Sequence, residues 1–267
     1  MNMKWLEQWL GEDWKVTPAG GATGDAYIAQ QGERKLFLKR NSSPFLAVLS
    51  AEGIVPKLLW TKRMTNGDVI SAQAWLNGRK LESTEMKNES VALLLQKIHS
   101  SQALLQMIQK LGKKPFLAND ILNELLSILE EKVSQKGAVQ KGLQYLRSSL
   151  AEVAHEELAV CHCDVNHNNW ILSDDNELYL IDWDGAVIAD PALDIGMLLY
   201  WYVPQSEWKS WLKHYDIEMT NSLLRRMEWY VIAQSIISLQ WYTTKGKQEE
   251  ASYWHDYLES LLSSRTF

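Results

Sequence analysis

The chain has 267 residues, 46% of them apolar, with 27 basic and 33 acidic side chains and a net charge of −6. That is enough apolar material for a proper core, in one large domain or two modest ones. No block of like charge is present, which argues against a nucleic-acid partner, and the most apolar stretch, residues 193–203, is too short and too polar to span a bilayer.

Taken in order, the first ten residues place Trp5, Leu6, Trp9 and Leu10 at helical spacing and lack the basic start and apolar core of a signal peptide. A strand over 14–17 runs into a turn holding Gly20, Gly21 and Gly24, and a returning strand starts at Ala26. Glycine permits close backbone approach and positive φ, so such a tip can lay N–H groups over phosphates. The third strand, 35–39, sets Leu36 and Leu38 on one face and Lys35, Phe37 and Lys39 on the other. Lys39 is the candidate contact to the α- and β-phosphates of ATP. Kinases position this lysine with a glutamate from the following helix. Here the helix predicted over 45–51 has no acid before Glu52, so either Glu52 serves from an unusual place or Lys39 goes unpaired. Strands over 58–61 and 69–76, joined at Asn66-Gly67-Asp68, complete an antiparallel sheet.

From Leu81 the apolar period becomes helical. Val91, Leu94, Leu95 and Ile98 mark one helix, residues 116–132 and 142–154 two more, and the Lys-, Gln- and Gly-rich residues 132–141 a mobile loop. Helical patterns resume over 192–202, 206–214, 221–241 and 248–263. Most of the 13 tryptophans are expected in the core.

Between these helices lies the chemistry. An apolar run at 158–161 leads into His162, Asp164, Asn166, His167, Asn168 and Asn169, and a hairpin then joins 171–172 to 178–181 through the turn at 173–176. Asp182 and Asp184 follow. A His-x-Asp, an Asn five residues past that Asp, and a second Asp ending the next apolar strand supply what phosphoryl transfer needs. One carboxylate takes the proton of the attacking hydroxyl, and an amide oxygen with another carboxylate holds Mg²⁺ on the phosphates. Asp164 is the candidate base, and Asn169 and Asp182 are the candidate metal ligands. His162 reads as a hydrogen-bonded brace for the loop. Cys161 and Cys163 have neither zinc-ligand spacing nor a disulfide framework, and are expected to be reduced, buried thiols of a cytoplasmic protein.

On these residues, and on the run Asp190-Pro191-Ala192-Leu193-Asp194-Ile195-Gly196, the chain resembles the aminoglycoside phosphotransferase and choline kinase superfamily. The resemblance covers nearly the whole chain and implies an α+β, protein-kinase-like two-lobed fold: an antiparallel-sheet lobe over 1–74, a hinge at 75–78, and a mostly helical lobe over 79–267. It implies ATP and Mg²⁺ as cofactors, backbone contacts to adenine from the region of Gln73 and Trp75, and the 190–196 segment packed beneath the catalytic loop. His99 then has a structural place only. Asp184 falls where the superfamily often has an acid near the acceptor, and either holds substrate hydroxyls or is simply exposed; His167, inside the loop, is a candidate hydrogen-bonding group for a sugar acceptor.

A narrower likeness, carried by residues 39–44, 54–60, 75–79 and 168–170, is to the cell-cycle-regulating ribosyl kinases of Gram-positive bacteria. It implies the 5-hydroxyl of ribose, 2-deoxyribose or a nucleoside as acceptor, and a cell-division protein as a partner. The rival readings are a choline, ethanolamine, thiamine or aminoglycoside kinase, and a non-catalytic regulator that uses a kinase-like body to bind.

Overall fold

The computed structural model describes residues 10, 11, 13–20 and 25–263. Trp5, Leu6, Trp9, Gly21 and Gly24 lie outside these. The fold is α+β, and the chain divides into two compact units, Met1–Leu81 with His167–Asp184, and Glu82–Asn166 with Gly185–Phe267.

The first unit is built on five antiparallel strands: β1 (Lys15–Pro18), β2 (Ala26–Gln31), β3 (Arg34–Arg40), β4 (Leu58–Arg63) and β5 (Val69–Ala74), in spatial order β1-β2-β3-β5-β4. Alternation drives its core, since Val16, Tyr27, Ala29, Leu36, Leu38, Ile70 and Ala72 all turn to one face. The helix between β3 and β4, α1 (Phe45–Ala51), starts after Pro44 and buries Phe45 and Leu49.

Four short strands come later in the chain: β7 (Ala159–Cys161), β8 (Trp170–Ser173), β9 (Leu178–Leu180) and β10 (Val187–Ala189). The predicted hairpin is β8-β9, and a strand absent from the sequence reading, β6 (Gly78–Lys80), lies along β8. All three residues of β6 are exposed, so no apolar pattern betrays it. Gly78 makes the approach possible, because a Cβ there would stand 2.3 Å from the Leu172 carbonyl oxygen.

The second unit is mostly helical: α2 (Glu89–Ser100), α3 (Gln102–Lys110), α4 (Ala118–Ile128), α5 (Glu131–Ser134), α6 (Gly137–Ser148), α7 (Ala192–Tyr202), α8 (Trp208–His214), α9 (Asn221–Thr244) and α10 (Gln248–Ser263). It also holds the antiparallel pair β7-β10. Every residue from Ala192 to Leu199 is buried, so α7 is enclosed on all sides over this stretch, with Asp194 its one charged residue there. It lies close on α9: a Cβ on Gly196 would meet the Met227 carbonyl oxygen at 2.9 Å. Trp229 of α9 is fully buried and donates from its indole to the Leu146 carbonyl at 3.0 Å.

One expectation is corrected here. Residues 132–141 are not a loop but carry parts of α5 and α6, because Val133, Ala138 and Val139 are buried and anchor the polar residues around them. The helix α3, on which the sequence reading was silent, has its first turn capped by the Ser101 hydroxyl accepting from the Leu104 N–H at 3.2 Å. Among the described residues no helix is long and apolar enough to cross a membrane.

Candidate active site

In the second unit, the loop after β7 is held from below by one carboxylate. Asp194, fully buried near the start of α7, accepts the His162 N–H on Oδ2 at 2.6 Å and the Cys163 N–H on Oδ1 at 2.9 Å. These bonds fix the chain where it turns through Cys163, whose φ of +66° is costly for a non-glycine residue. His99 reaches the same Oδ2 from Nε2 at 3.2 Å. A carboxylate only accepts, so Nε2 carries the proton, and in the neutral ring Nδ1 accepts from the Tyr215 hydroxyl at 2.7 Å. Burial pushes the Tyr215 phenol well above its ordinary range, so that donor keeps its proton.

His162 is fully buried, and its Nδ1 accepts from the Asp164 N–H at 3.2 Å. It braces the backbone of the very residue proposed as base. Asn166 donates from Nδ2 to Asp164 Oδ1 at 2.5 Å, which orients that carboxylate. Cys161 is buried and Cys163 half-buried, and desolvation raises both thiols well above the usual range, leaving them neutral and poorly nucleophilic.

Beneath the β7-β10 pair sits a buried ion pair that the sequence reading missed, Arg226 of α9 with Asp190 Oδ1. The same oxygen also accepts the Ala192 N–H at 2.9 Å and so caps the entry to α7. The sequence carries no signal for it, because Arg226 stands beside Arg225 and two residues before Glu228.

The first unit holds the other candidates. His167–Asn169 forms a single 3₁₀ turn that runs straight into β8. The Asn169 carbonyl accepts the Ile181 N–H at 2.9 Å, one step beyond the Trp170–Leu180 register of the hairpin. Asn169 and the residue preceding Asp182 are thereby tied across the ladder. Asp182 sits at φ +67°, a left-handed turn that breaks the strand and leads into the 3₁₀ turn Trp183–Gly185.

Lys39 has a definite partner. Its Nζ donates to both carboxylate oxygens of Asp184 at 2.9 Å, so the choice posed by the sequence, Glu52 or no partner, is answered by neither. The neighbouring Arg40 is engaged separately, with Asp68 at 2.9 Å, and hydrogen bonds from Asn41 and Arg40 hold the Asp68 carboxyl below its ordinary range. Gly20 takes φ +84° just before the glycine-rich tip.

Gln73 lies inside the sheet, registered against Phe37 on one side and Leu58 on the other, and its side chain donates to the Pro56 carbonyl at 2.8 Å. Its backbone therefore serves the ladder, whereas Trp75 is beyond the end of β5, with its indole on Asn77 Oδ1 at 3.1 Å and the Lys35 ammonium over its ring.

A family model described as the phosphotransferase enzyme family matches residues 15–230. The chain belongs to this family. The phosphotransferase also matches solved structures over almost its whole length. One is the choline kinase LicA from Streptococcus pneumoniae, with TM-score 0.72 and 21% identity over 98% of this chain and 99% of that one. Others are the apo form of a thermostable mutant of aminoglycoside phosphotransferase APH(4)-Ia, with TM-score 0.70 and 15% identity over 98% and 99%, and the GDP complex of aminoglycoside 2'-phosphotransferase-IIIa, with 0.69 and 14% over 97% and 96%. At such identities the likeness establishes the fold, and the family match establishes a phosphotransferase.

Proposed function

We propose that this phosphotransferase is a small-molecule kinase that moves the γ-phosphoryl group of ATP to an alcohol, with the 5-hydroxyl of ribose, 2-deoxyribose or a nucleoside as acceptor. The observation that supports the reading is the backbone hydrogen bond from the Ile181 N–H to the Asn169 carbonyl, which ties Asn169 to the residue just before Asp182. Asn169 and Asp182 both offer hard oxygen donors, the chemistry Mg²⁺ selects, and they are the residues that would hold it. When bound, Mg²⁺ would offset the charge of the phosphates during transfer.

The chain's own groups do the rest. Lys39 offers its ammonium to the α- and β-phosphates. The Gly20, Gly21 and Gly24 tip covers phosphates with backbone N–H groups. Trp75, past the end of β5, presents backbone groups to the adenine. Asp164 accepts the proton of the acceptor hydroxyl as the new O–P bond forms and the bond to the leaving ADP oxygen breaks, and Asn166 fixes the direction from which it does so. His167, with Asn166 and Asn168 beside it, supplies hydrogen-bonding groups suited to a polyhydroxyl acceptor. The pentose, and any role or partner in cell division, rest on the narrower resemblance.

A second reading has its own observation. Around the C-terminal end of α7, Trp201 meets Trp254 edge-on at 5.3 Å, Tyr200 meets Trp208 at 4.7 Å, and Tyr257 meets Trp254 at 5.8 Å. Rings grouped this way suit a quaternary ammonium, which favours choline.

The deciding experiment compares kcat/KM for ribose, 2-deoxyribose, a nucleoside, choline, ethanolamine and an aminoglycoside under fixed Mg-ATP. A pentose or nucleoside is expected to lead. A choline preference of roughly tenfold, about 1.4 kcal/mol in transition-state binding, sinks the pentose and leaves the kinase standing. Asp164→Ala is expected to retain nucleotide binding while turnover drops roughly 10² to 10⁴-fold, and wild-type turnover in that variant removes Asp164 from its role.

A further inference from the structure

We infer that Asp184 is a positioning residue for the nucleotide phosphates, the carboxylate that aims Lys39 in place of a helix glutamate. This rests on the kinase reading and moves Asp184 away from the acceptor, where the sequence had put it.

The geometry is cooperative. Lys39 stands on β3 between β2 and β5, opposite Ala26 and Ser71, so its backbone is fixed on both sides. Its four-carbon stem is not fixed, and an ammonium is a mobile point charge unless something holds it. The helix that follows, α1, offers Phe45, Leu46, Ala47, Val48, Leu49, Ser50 and Ala51, none of them acidic.

What α1 does offer is an anchor for the acid. Phe45, its first residue, packs edge-on against Trp183 at 5.9 Å, and the Trp183 indole donates to the Leu180 carbonyl at 2.7 Å. Trp183 thereby pins the turn in which Asp184 is the next residue, and both oxygens of Asp184 close on the Lys39 ammonium. Because Asp182 opens the same turn, one pinned segment carries a proposed metal ligand and the counter-ion of the phosphate-binding lysine. The neighbouring Arg40 does not compete, being committed to Asp68.

Exposure decides what the pair is for. The Asp184 side chain is 63% exposed and that of Lys39 26%, and an ion pair this open adds little to the fold. Its product is direction. The ammonium is held where the phosphates would meet it.

The test is steady-state kinetics and nucleotide binding of Asp184→Asn and Asp184→Glu, with Asp175→Asn, an exposed turn residue, as the control. For Asp184→Asn the expected result is a rise of roughly tenfold in the KM for Mg-ATP, with the acceptor KM within about twofold of wild type. Asp184→Glu, which restores the charge on a longer stem, is expected to recover a large part of that loss, and all variants to keep the wild-type melting temperature. The inference is overturned if Asp184→Asn leaves the ATP KM unchanged or lowers it, or if only the acceptor KM moves. If the wild-type protein neither binds nor consumes Mg-ATP, the kinase reading falls and this inference with it; if it does both and Asp184→Asn is silent, only the inference falls.

Discussion

Two carboxylates organise this molecule, and they do so under opposite conditions. Asp194 is fully buried, accepts from two backbone N–H groups and a histidine, and holds a strained loop. Asp184 is mostly exposed and meets one ammonium, that of Lys39. In a low-dielectric interior each of those bonds is strong and none can be lost without leaving an orphaned donor, whereas at the surface water replaces either partner at little cost. The buried acid builds the frame on which Asp164 stands, and the exposed one aims the side chain proposed to meet the phosphates.

Breaking the buried side should have the largest effect. Asp194→Ala strips an acceptor from the N–H groups of His162 and Cys163 and from His99, and is expected to lower stability by about 3–5 kcal/mol, read by urea unfolding. A loss below about 1 kcal/mol would mean that the loop keeps its shape without the carboxylate. Ligand binding comes next. Mg-ATP at about a hundred times its dissociation constant should add roughly 2.7 kcal/mol to the unfolding free energy, and a melting curve unmoved by millimolar Mg-ATP contradicts the proposed Asn169 and Asp182 site. Gly196→Ala, which forces a methyl against the Met227 backbone, is expected to cost about 1–3 kcal/mol by the same unfolding measurement.

How much of this was legible follows from the range of each interaction. The sheet, α1 and the β8-β9 hairpin announced themselves because alternation and turn residues are local signals, and the candidate base and metal ligands because their spacing is short. The Lys39–Asp184 pair was not legible: it joins positions distant in the chain, and although Asp184 was singled out, nothing near it points to Lys39 as its partner. Tyr215 was hidden for the same reason, being one of several aromatics over 208–215 until the fold brings its hydroxyl to His99. β6 was invisible because its pairing is all backbone. The loop expected over 132–141 failed differently. Its Lys and Gln content outweighed three buried apolar residues that hold two helices in place.

A smaller effect on the buried side depends on pH. Burial raises the Cys161 and Cys163 thiols, so the folded protein keeps protons that the unfolded chain begins to release near pH 8.5. Each thiol's contribution is complete below that pH. Above it, the unfolding free energy should fall by about 1.4 kcal/mol per pH unit per thiol until the folded thiol ionises. Urea unfolding at pH 7.5, 8.5 and 9.5 checks this, and the double variant Cys161→Ala with Cys163→Ala should flatten the decline. An equal slope in wild type and double variant would place the alkaline loss elsewhere.

The smallest expected effect is on the exposed side and sharpens the contrast most. A double-mutant cycle with Lys39→Ala and Asp184→Ala should give a coupling free energy for folding of about 0.2–1 kcal/mol. Half a molar salt should erase most of it, since the Debye length then falls to roughly 4 Å and the pair is open to ions. The same two variants should weaken Mg-ATP binding by far more than they weaken the fold, because in the proposed site the phosphates meet the ammonium directly while an ion pair this open adds little to the fold. A coupling of 2 kcal/mol or more, unaffected by salt, would put Asp184 in the same class as Asp194, a structural acid that happens to lie near the surface. The division between an acid that holds the frame and one that aims a side chain would then be lost.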